Sequence, residues 1–230
     1  MEAIILAGGL GTRLRTLVSD VPKTMAPVAG RPFLEILLAA LARKGITKVI
    51  LSLGYLADKV INHFGAQYSG MELVYEIEST PLGTGGAVRK ALLRCHADHV
   101  YVFNGDTYLD VEIAALEAKW QAQRRPIIVA RHVNDVSRFG RLDMANGRIA
   151  AFFEKGVGGA GLVNTGCYVF PTNVLDQFPV GQAFSLETEF LASAAVFDRF
   201  DLFITHGYFI DIGVPEDFRR AQTELIGSHT

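Results

Sequence analysis

Between Ala3 and Asn104, short aliphatic runs alternate with longer amphipathic stretches, and no other feature restricts the fold as much. Ala3 to Ala7, Lys48 to Leu53, Glu72 to Ile77 and His99 to Asn104 are apolar runs of strand length. Between them, Phe33 to Lys44 puts Phe33, Ile36, Leu37, Ala40 and Leu41 on one helical face and meets Gly45 as its stop. Leu56 to Phe64 and Thr84 to Arg94 read as two further helices. Strands that are apolar throughout suit a parallel sheet covered on both faces. The alternation, with right-handed crossovers, predicts an α/β fold: a doubly wound, mostly parallel, Rossmann-like sheet whose ligand crevice lies beyond the carboxyl ends of its strands.

After a helix at Ile113 to Arg124 and a strand at Ile127 to Arg131 the rhythm changes. Leu142 to Phe152 is interrupted by Asn146-Gly147, a tight-turn dipeptide, so this part of the sheet is expected to be antiparallel and the whole sheet mixed. A strand at Val163 to Phe170, a helix at Leu186 to Val196 and strands at Phe200 to Ile204 and Tyr208 to Ile210 follow, and Pro215 opens a last helix. Gly227 to Thr230 reads as a frayed tail. No repeat or linker divides the chain, so its 230 residues are expected to form a single domain with two lobes, about 1–110 and about 111–230, and a cleft between them.

Several function classes drop out on composition. The net charge is −2 and the basic residues are scattered, which argues against nucleic acid as a partner. The apolar start ends at Gly8 and the longest later run, Ile36 to Ala42, is far short of a span, so no membrane partner is expected and the cytoplasm is the expected location. Cys95 and Cys167 are too few for a disulfide framework and are expected to be buried thiols. The six histidines lack zinc-ligand spacing. A homo-oligomer stays open.

The chemistry-bearing residues follow the strands. Gly8-Gly9-Leu10-Gly11-Thr12-Arg13-Leu14 closes the first strand, and its glycines let backbone amides approach an anion while Arg13 offers a forked cation. Leu14 stands where a dinucleotide fingerprint needs its third glycine, and no Gly-Lys-Ser/Thr exists for a P-loop. Lys23 lies in Pro22-Lys23-Thr24-Met25-Ala26-Pro27, an extended, proline-framed segment that cannot be a helix interior. Asp106 in Asn104-Gly105-Asp106 and Asp211 in Asp211-Ile212-Gly213 each end an apolar strand; alone each reads as a turn residue, and together they suit a hard divalent cation. Leu82-Gly83-Thr84-Gly85-Gly86 joins a strand to a helix and admits a flat or phosphorylated ligand. Glu154-Lys155 and Asn164-Thr165-Gly166 offer hydrogen bonds and charge to a polar ligand.

In this order, from Ile4-Ile5-Leu6-Ala7-Gly8 through to Asp211-Ile212-Gly213-Val214-Pro215, the motifs resemble those of the sugar-1-phosphate nucleotidyltransferase family over almost the whole chain. The likeness is greatest to its short bacterial guanylyltransferase members acting on a heptose 1-phosphate, which lack a C-terminal β-helix. The resemblance implies the nucleotide-diphospho-sugar transferase type of fold with a smaller antiparallel sugar-binding part, GTP and a sugar 1-phosphate as substrates, and Mg²⁺ as cofactor. It implies catalytic roles for Arg13, Lys23 and Asp106, with Mg²⁺ on Asp106 and Asp211. It places the nucleotide on Leu6, Ala7, Gly8, Gly9, Gly11, Thr12, Arg13, Lys23, Asn104 and Asp106, with Gly83, Thr84 and Gly85 at its base. Gly140, Glu154, Asn164 and Thr165 are implied to hold the sugar, and Lys155 its phosphate. Two positions depart from many relatives: Thr24 stands in place of proline, and Phe139 in place of tyrosine. A uridylyl- or thymidylyltransferase shares this chemistry, and a non-catalytic nucleotide sensor is expected to have lost the cations or carboxylates that this chain keeps.

Overall fold

The computed structural model describes residues 1–9, 21–145, 148–153, 158–193 and 199–226. The first half of the chain runs through β1 (Glu2–Leu6), a one-turn 3-10 helix (Lys23–Met25), a ribbon of β2 (Pro27–Val28) and β3 (Arg31–Pro32), α1 (Phe33–Arg43), β4 (Lys48–Leu53) and α2 (Ala57–Phe64). It continues through β5 (Gln67–Tyr68), β6 (Met71–Ile77), α3 (Gly83–Leu92), β7 (His99–Asn104), β8 (Thr107–Leu109) and α4 (Ile113–Gln123). The second half adds β9 (Ile127–Val133), β10 (Arg141–Ala145), β11 (Arg148–Phe153), β12 (Gly161–Pro171), a π-helix (Leu186–Leu191), β13 (Asp201–Ile204), β14 (Phe209–Asp211) and α5 (Pro215–Glu224).

The α/β, mixed, doubly wound sheet expected from the alternation is what forms: ten strands, eight of them in the order β11-β10-β12-β7-β1-β4-β6-β5, with β9 beside β12 and β13 beside β9. β7, β1, β4 and β6 are mutually parallel, and β12 lies antiparallel against β7. Alternate strand residues serve two layers. Ala3, Ile5, Val49, Leu51, Tyr101 and Phe103 cluster with Leu34 and Leu38 of α1, Val60 and Phe64 of α2, and Leu116 and Trp120 of α4. Ile4, Ile50, Val100 and Val102 turn the other way, onto Val88, Ala91 and Leu92 of α3 and Phe190 and Leu191 of the π-helix. The outer face of α1 holds a third layer, where Phe33, Ile36 and Leu37 meet Tyr108, Ile210, Ile212, Ala221 and Leu225.

Several local expectations change. The helix expected over Leu186 to Val196 is a π-helix over Leu186–Leu191, with Leu186, Phe190 and Leu191 buried, and residues 194–196 of that expectation lie outside the described residues. β13 runs parallel to β9, on the side away from β12, so the second half is not uniformly antiparallel. Lys23 sits in a single 3-10 turn rather than an extended segment, closed by the Met25 N–H donating to the Pro22 carbonyl at 2.8 Å. Cys167 is buried as expected and Cys95 only half-buried. β10 and β11 pair antiparallel up to Ala145 and Arg148, while the Asn146-Gly147 turn and the 227–230 tail lie outside the described residues. No helix among the described residues is long and apolar enough to cross a membrane.

Glu76 ties the nucleotide-side edge together. Its buried carboxylate on β6 accepts from Lys90 Nζ and Arg94 Nε of α3, each at 2.8 Å. Burial pulls its proton affinity up, but the two cations outweigh this and hold the carboxyl below the ordinary glutamate value. Such a group stabilises the fold above its unfolded pKa, and that contribution is lost as the pH falls through the lower folded value. Glu76→Gln is therefore expected to cost about 1–2 kcal/mol near neutral pH, the scale of hydrogen bonds to charged groups. In thermal melts the gap to the wild-type chain should close as the pH drops below about 4.3.

Candidate active site

All four parallel strands end on one side, and the loops that follow them enclose a cavity of about 590 Å³. β1 delivers Leu6, Ala7, Gly8 and Gly9, β4 delivers Gly54 and Tyr55, β6 delivers Glu78 to Pro81, and β7 delivers Asn104 and Asp106. Gly83, Thr84 and Ala87 at the start of α3 form a further wall, with Lys23 and Thr24 lining the cavity as well. This is the crevice beyond the strand carboxyl ends that an open α/β sheet offers to ligands.

The charged groups converge there. Lys23 Nζ is ion-paired with Asp106 Oδ2; the lysine side chain is 12% exposed and the aspartate 31%, so the carboxylate keeps an open side. Asp211 comes from the far end of the chain. The β8–β14 ribbon pairs Asp211 with Thr107, and the Ile212 N–H donates to the Asp106 carbonyl at 2.9 Å, which sets the two aspartates side by side. A Cβ added at Gly213 would stand 2.8 Å from Lys23 Nζ and 2.7 Å from Asp211 Oδ1, so the ammonium reaches the neighbourhood of both carboxylates. Among the described residues no group of three or more His, Cys, Asp or Glu could hold a metal ion. Two hard oxygen donors without an all-protein cage fit an ion such as Mg²⁺ that completes its shell with water and phosphate.

The Asn164-Thr165-Gly166 motif reaches the same region. Asn164 N–H donates to the Gly140 carbonyl at 2.8 Å, and β12 bulges between Asn164 and Cys167. Inside the bulge Gly166 adopts φ +71°, and a Cβ there would fall 2.3 Å from Asn104 Nδ2, so only glycine lets the two motifs touch. The Asn164 amide spans the bulge, accepting from the Gly166 N–H at 3.1 Å and donating to Tyr168 Oη at 2.6 Å.

A family model for nucleotidyl transferases matches residues 2–227. The chain belongs to that family. A D-glycero-alpha-D-manno-heptose 1-phosphate guanylyltransferase from Aneurinibacillus thermoaerophilus is 39% identical over 98% of this chain and 98% of the relative. A mannose-1-phosphate guanylyltransferase from Mycobacterium tuberculosis is 36% identical over 98% of this chain but 65% of its own length. The crystal structure of HddC from Yersinia pseudotuberculosis complexed with GMP-PN is similar at 36% identity and a TM-score of 0.84, over 96% of this chain and 97% of that one.

In this nucleotidyltransferase the cavity gathers Leu6, Ala7, Gly8, Gly9, Lys23, Gly83, Thr84, Asn104 and Asp106 from the residues singled out by sequence. Gly11, Thr12, Arg13, Glu154 and Lys155 lie outside the described residues. Two candidates turn away. Thr165 is 3% exposed and spends its hydroxyl on the Val129 carbonyl at 2.8 Å, because the bulge directs it into the sheet. Gly85 is buried and faces Phe184: a Cβ there would lie 2.1 Å from the ring, so its missing side chain serves packing rather than a ligand. At Thr24 the hydroxyl is buried and finds no hydrogen-bond partner among the described residues.

Sequence reading missed Tyr55 and Glu78. Glu78 Oε2 accepts from the Leu82 N–H at 2.9 Å and Oε1 from Ser52 Oγ at 3.3 Å, fixing the loop that leads into α3. Both residues follow parallel strands, so the rule that picked out Gly8 and Asp106, applied to β4 and β6, would have found them. Gly85→Ala is expected to destabilise the protein by about 1–3 kcal/mol through overpacking against Phe184. Calorimetric melts should show a drop of roughly 2–4 °C for each kcal/mol in a domain of this size.

Proposed function

We propose that this nucleotidyltransferase moves a guanylyl group from GTP to D-glycero-α-D-manno-heptose 1-phosphate, giving GDP-heptose and pyrophosphate. The observation that carries base and sugar is the 39% identity to the Aneurinibacillus relative over 98% of each chain, against 36% to the mannose 1-phosphate relative. In this reading the first lobe, to about residue 110, takes the nucleotide, the second takes the sugar phosphate, and the protein works in the cytoplasm without nucleic acid or membrane partners.

The reaction is an in-line displacement. A sugar-phosphate oxygen attacks the α-phosphorus, the bond to the bridging oxygen breaks, and pyrophosphate leaves from the opposite side. Burial, with Glu2 adding to it, pushes the Cys95 thiol up to about 12, and burial raises the Cys167 thiol as well, so neither supplies a thiolate nucleophile near neutral pH. Catalysis then rests on positioning two anions and neutralising the charge that develops between them. Gly8, Gly9, Gly11, Thr12 and Arg13 receive the phosphate chain, Lys23 presents its ammonium to the α-phosphate, and Lys155 binds the sugar phosphate. Gly140, Glu154 and Asn164 hold the sugar hydroxyls. Mg²⁺, on Asp106 and Asp211, supplies charge to the phosphoryl oxygens when bound.

Asp106→Asn and Asp211→Asn are each expected to lower turnover by more than about 10²-fold, the scale of losing one element of transition-state charge stabilisation. Circular dichroism melts of both should match the wild-type chain; retained turnover in either variant removes the metal assignment. Pyrophosphate release, measured with GTP, UTP and dTTP against a panel of sugar 1-phosphates, tests the substrates. GTP with the heptose 1-phosphate should give the highest kcat/KM, because a site that pairs the guanine N1–H and amine leaves groups unsatisfied with a pyrimidine. A mannose 1-phosphate value equal to or above the heptose value overturns the sugar assignment and leaves nucleotidyl transfer standing.

A further inference from the structure

The π-helix after β12 is built around a displaced cap. Ser185 Oγ accepts from the Thr188 N–H at 3.1 Å, and the acid that returns to the Ser185 N–H, at 2.6 Å, is Glu189. A regular capping box draws its acid from the third helical residue, and here it comes from the fourth. Glu187, at the second helical position, takes no part in that exchange with the backbone.

Glu187 instead faces the start of α3. Its Oε2 accepts from Thr84 Oγ1 at 2.6 Å and from Ser185 Oγ at 3.2 Å, while Thr84 Oγ1 accepts from the Leu186 N–H at 2.9 Å. Around this pair the backbones interlock: Phe184 N–H donates to the Leu82 carbonyl at 3.0 Å, and Gly85 N–H donates to the Phe184 carbonyl at 3.0 Å. Thr84 lines the cavity and Glu187 does not. The carboxylate thus acts from behind the wall.

We propose that Glu187 is a positioning residue that holds the Thr84 wall of the nucleotide cavity in place. The proposal rests on the guanylyl-transfer reading for the identity of the ligands only, and the test separates the two. Calorimetric binding of GTP, UTP and dTTP to the wild-type chain comes first; the nucleotide that binds best judges the reading and then serves as probe. With that probe Glu187→Ala is expected to weaken binding and raise the nucleotide KM by about five- to tenfold, the effect of one lost hydrogen bond on a wall residue. Glu187→Gln, which keeps an acceptor for Thr84, should stay within about twofold of wild type. Thr84→Val should reproduce the nucleotide effect, and in Glu187→Ala/Thr84→Val the two effects should not add. Glu187→Ala with the nucleotide KM unchanged, Glu187→Gln as impaired as Glu187→Ala, or additive effects in the double variant overturns it. If Glu187→Ala fails to fold, Thr84→Val and Glu187→Gln decide the same question. A fall in melting temperature without a change in KM marks a structural role only and also overturns it.

Discussion

The reversal of strand direction between β7 and β12 is the constraint on which the site depends. Because β12 runs antiparallel to β7, its first half passes the carboxyl end of β7, where Asn104 and Asp106 leave the sheet. Residues from opposite halves of the chain therefore meet without a long loop to bring them together, and the Gly166 bulge lets β12 press onto Asn104. A parallel neighbour would present its own carboxyl end there and add another phosphate-type loop. An antiparallel one presents side chains along its length, which suits a ligand rich in hydroxyls.

Much of this was legible in the sequence, for a physical reason. The runs at Ala3 to Ala7, Lys48 to Leu53 and His99 to Asn104 are apolar because both faces of the sheet are covered, and helices of regular period separate them. Where that cause is absent, so is the signal. β2, β3, β5 and β8 are two or three residues long and show no period to read. Leu186, Phe190 and Leu191 suggest a helix but not its π form, and nothing local in Asp201 to Ile204 reports which direction the strand runs. Site residues divide in the same way. Lys23, Asp106 and Asp211 stand out because charge next to apolar strands needs explanation, whereas Thr165 and Gly85 were assigned by motif and turn out to serve packing and internal hydrogen bonding.

The electrostatics of the cavity follow from its having few charges that face one another. A net charge of −2 would not recruit anions, yet the ammonium of Lys23 lies at the cavity with Asp106 as its counter-ion. A charge pair of this kind is cheap to maintain while it is partly solvated, and each member can exchange its partner for a stronger one when phosphate arrives. The head of α3 is held differently, by the Thr84 hydroxyl donating to the Glu187 carboxylate behind the cavity wall.

The β8–β14 ribbon has a consequence in time as well as in space. It joins strands about a hundred residues apart in sequence, and α5, which follows β14, shares the outer layer with α1. Closing so long a loop is slow compared with forming the local strand–helix units. The central strands β1, β4, β6 and β7 can assemble from the first half of the chain alone, but the aspartate pair exists only after Phe209–Asp211 has docked on β8. During synthesis, a chain that has emerged only as far as β13 carries most of the nucleotide cavity and one of the two aspartates, so the arrival of Phe209–Asp211 decides when the pair becomes whole.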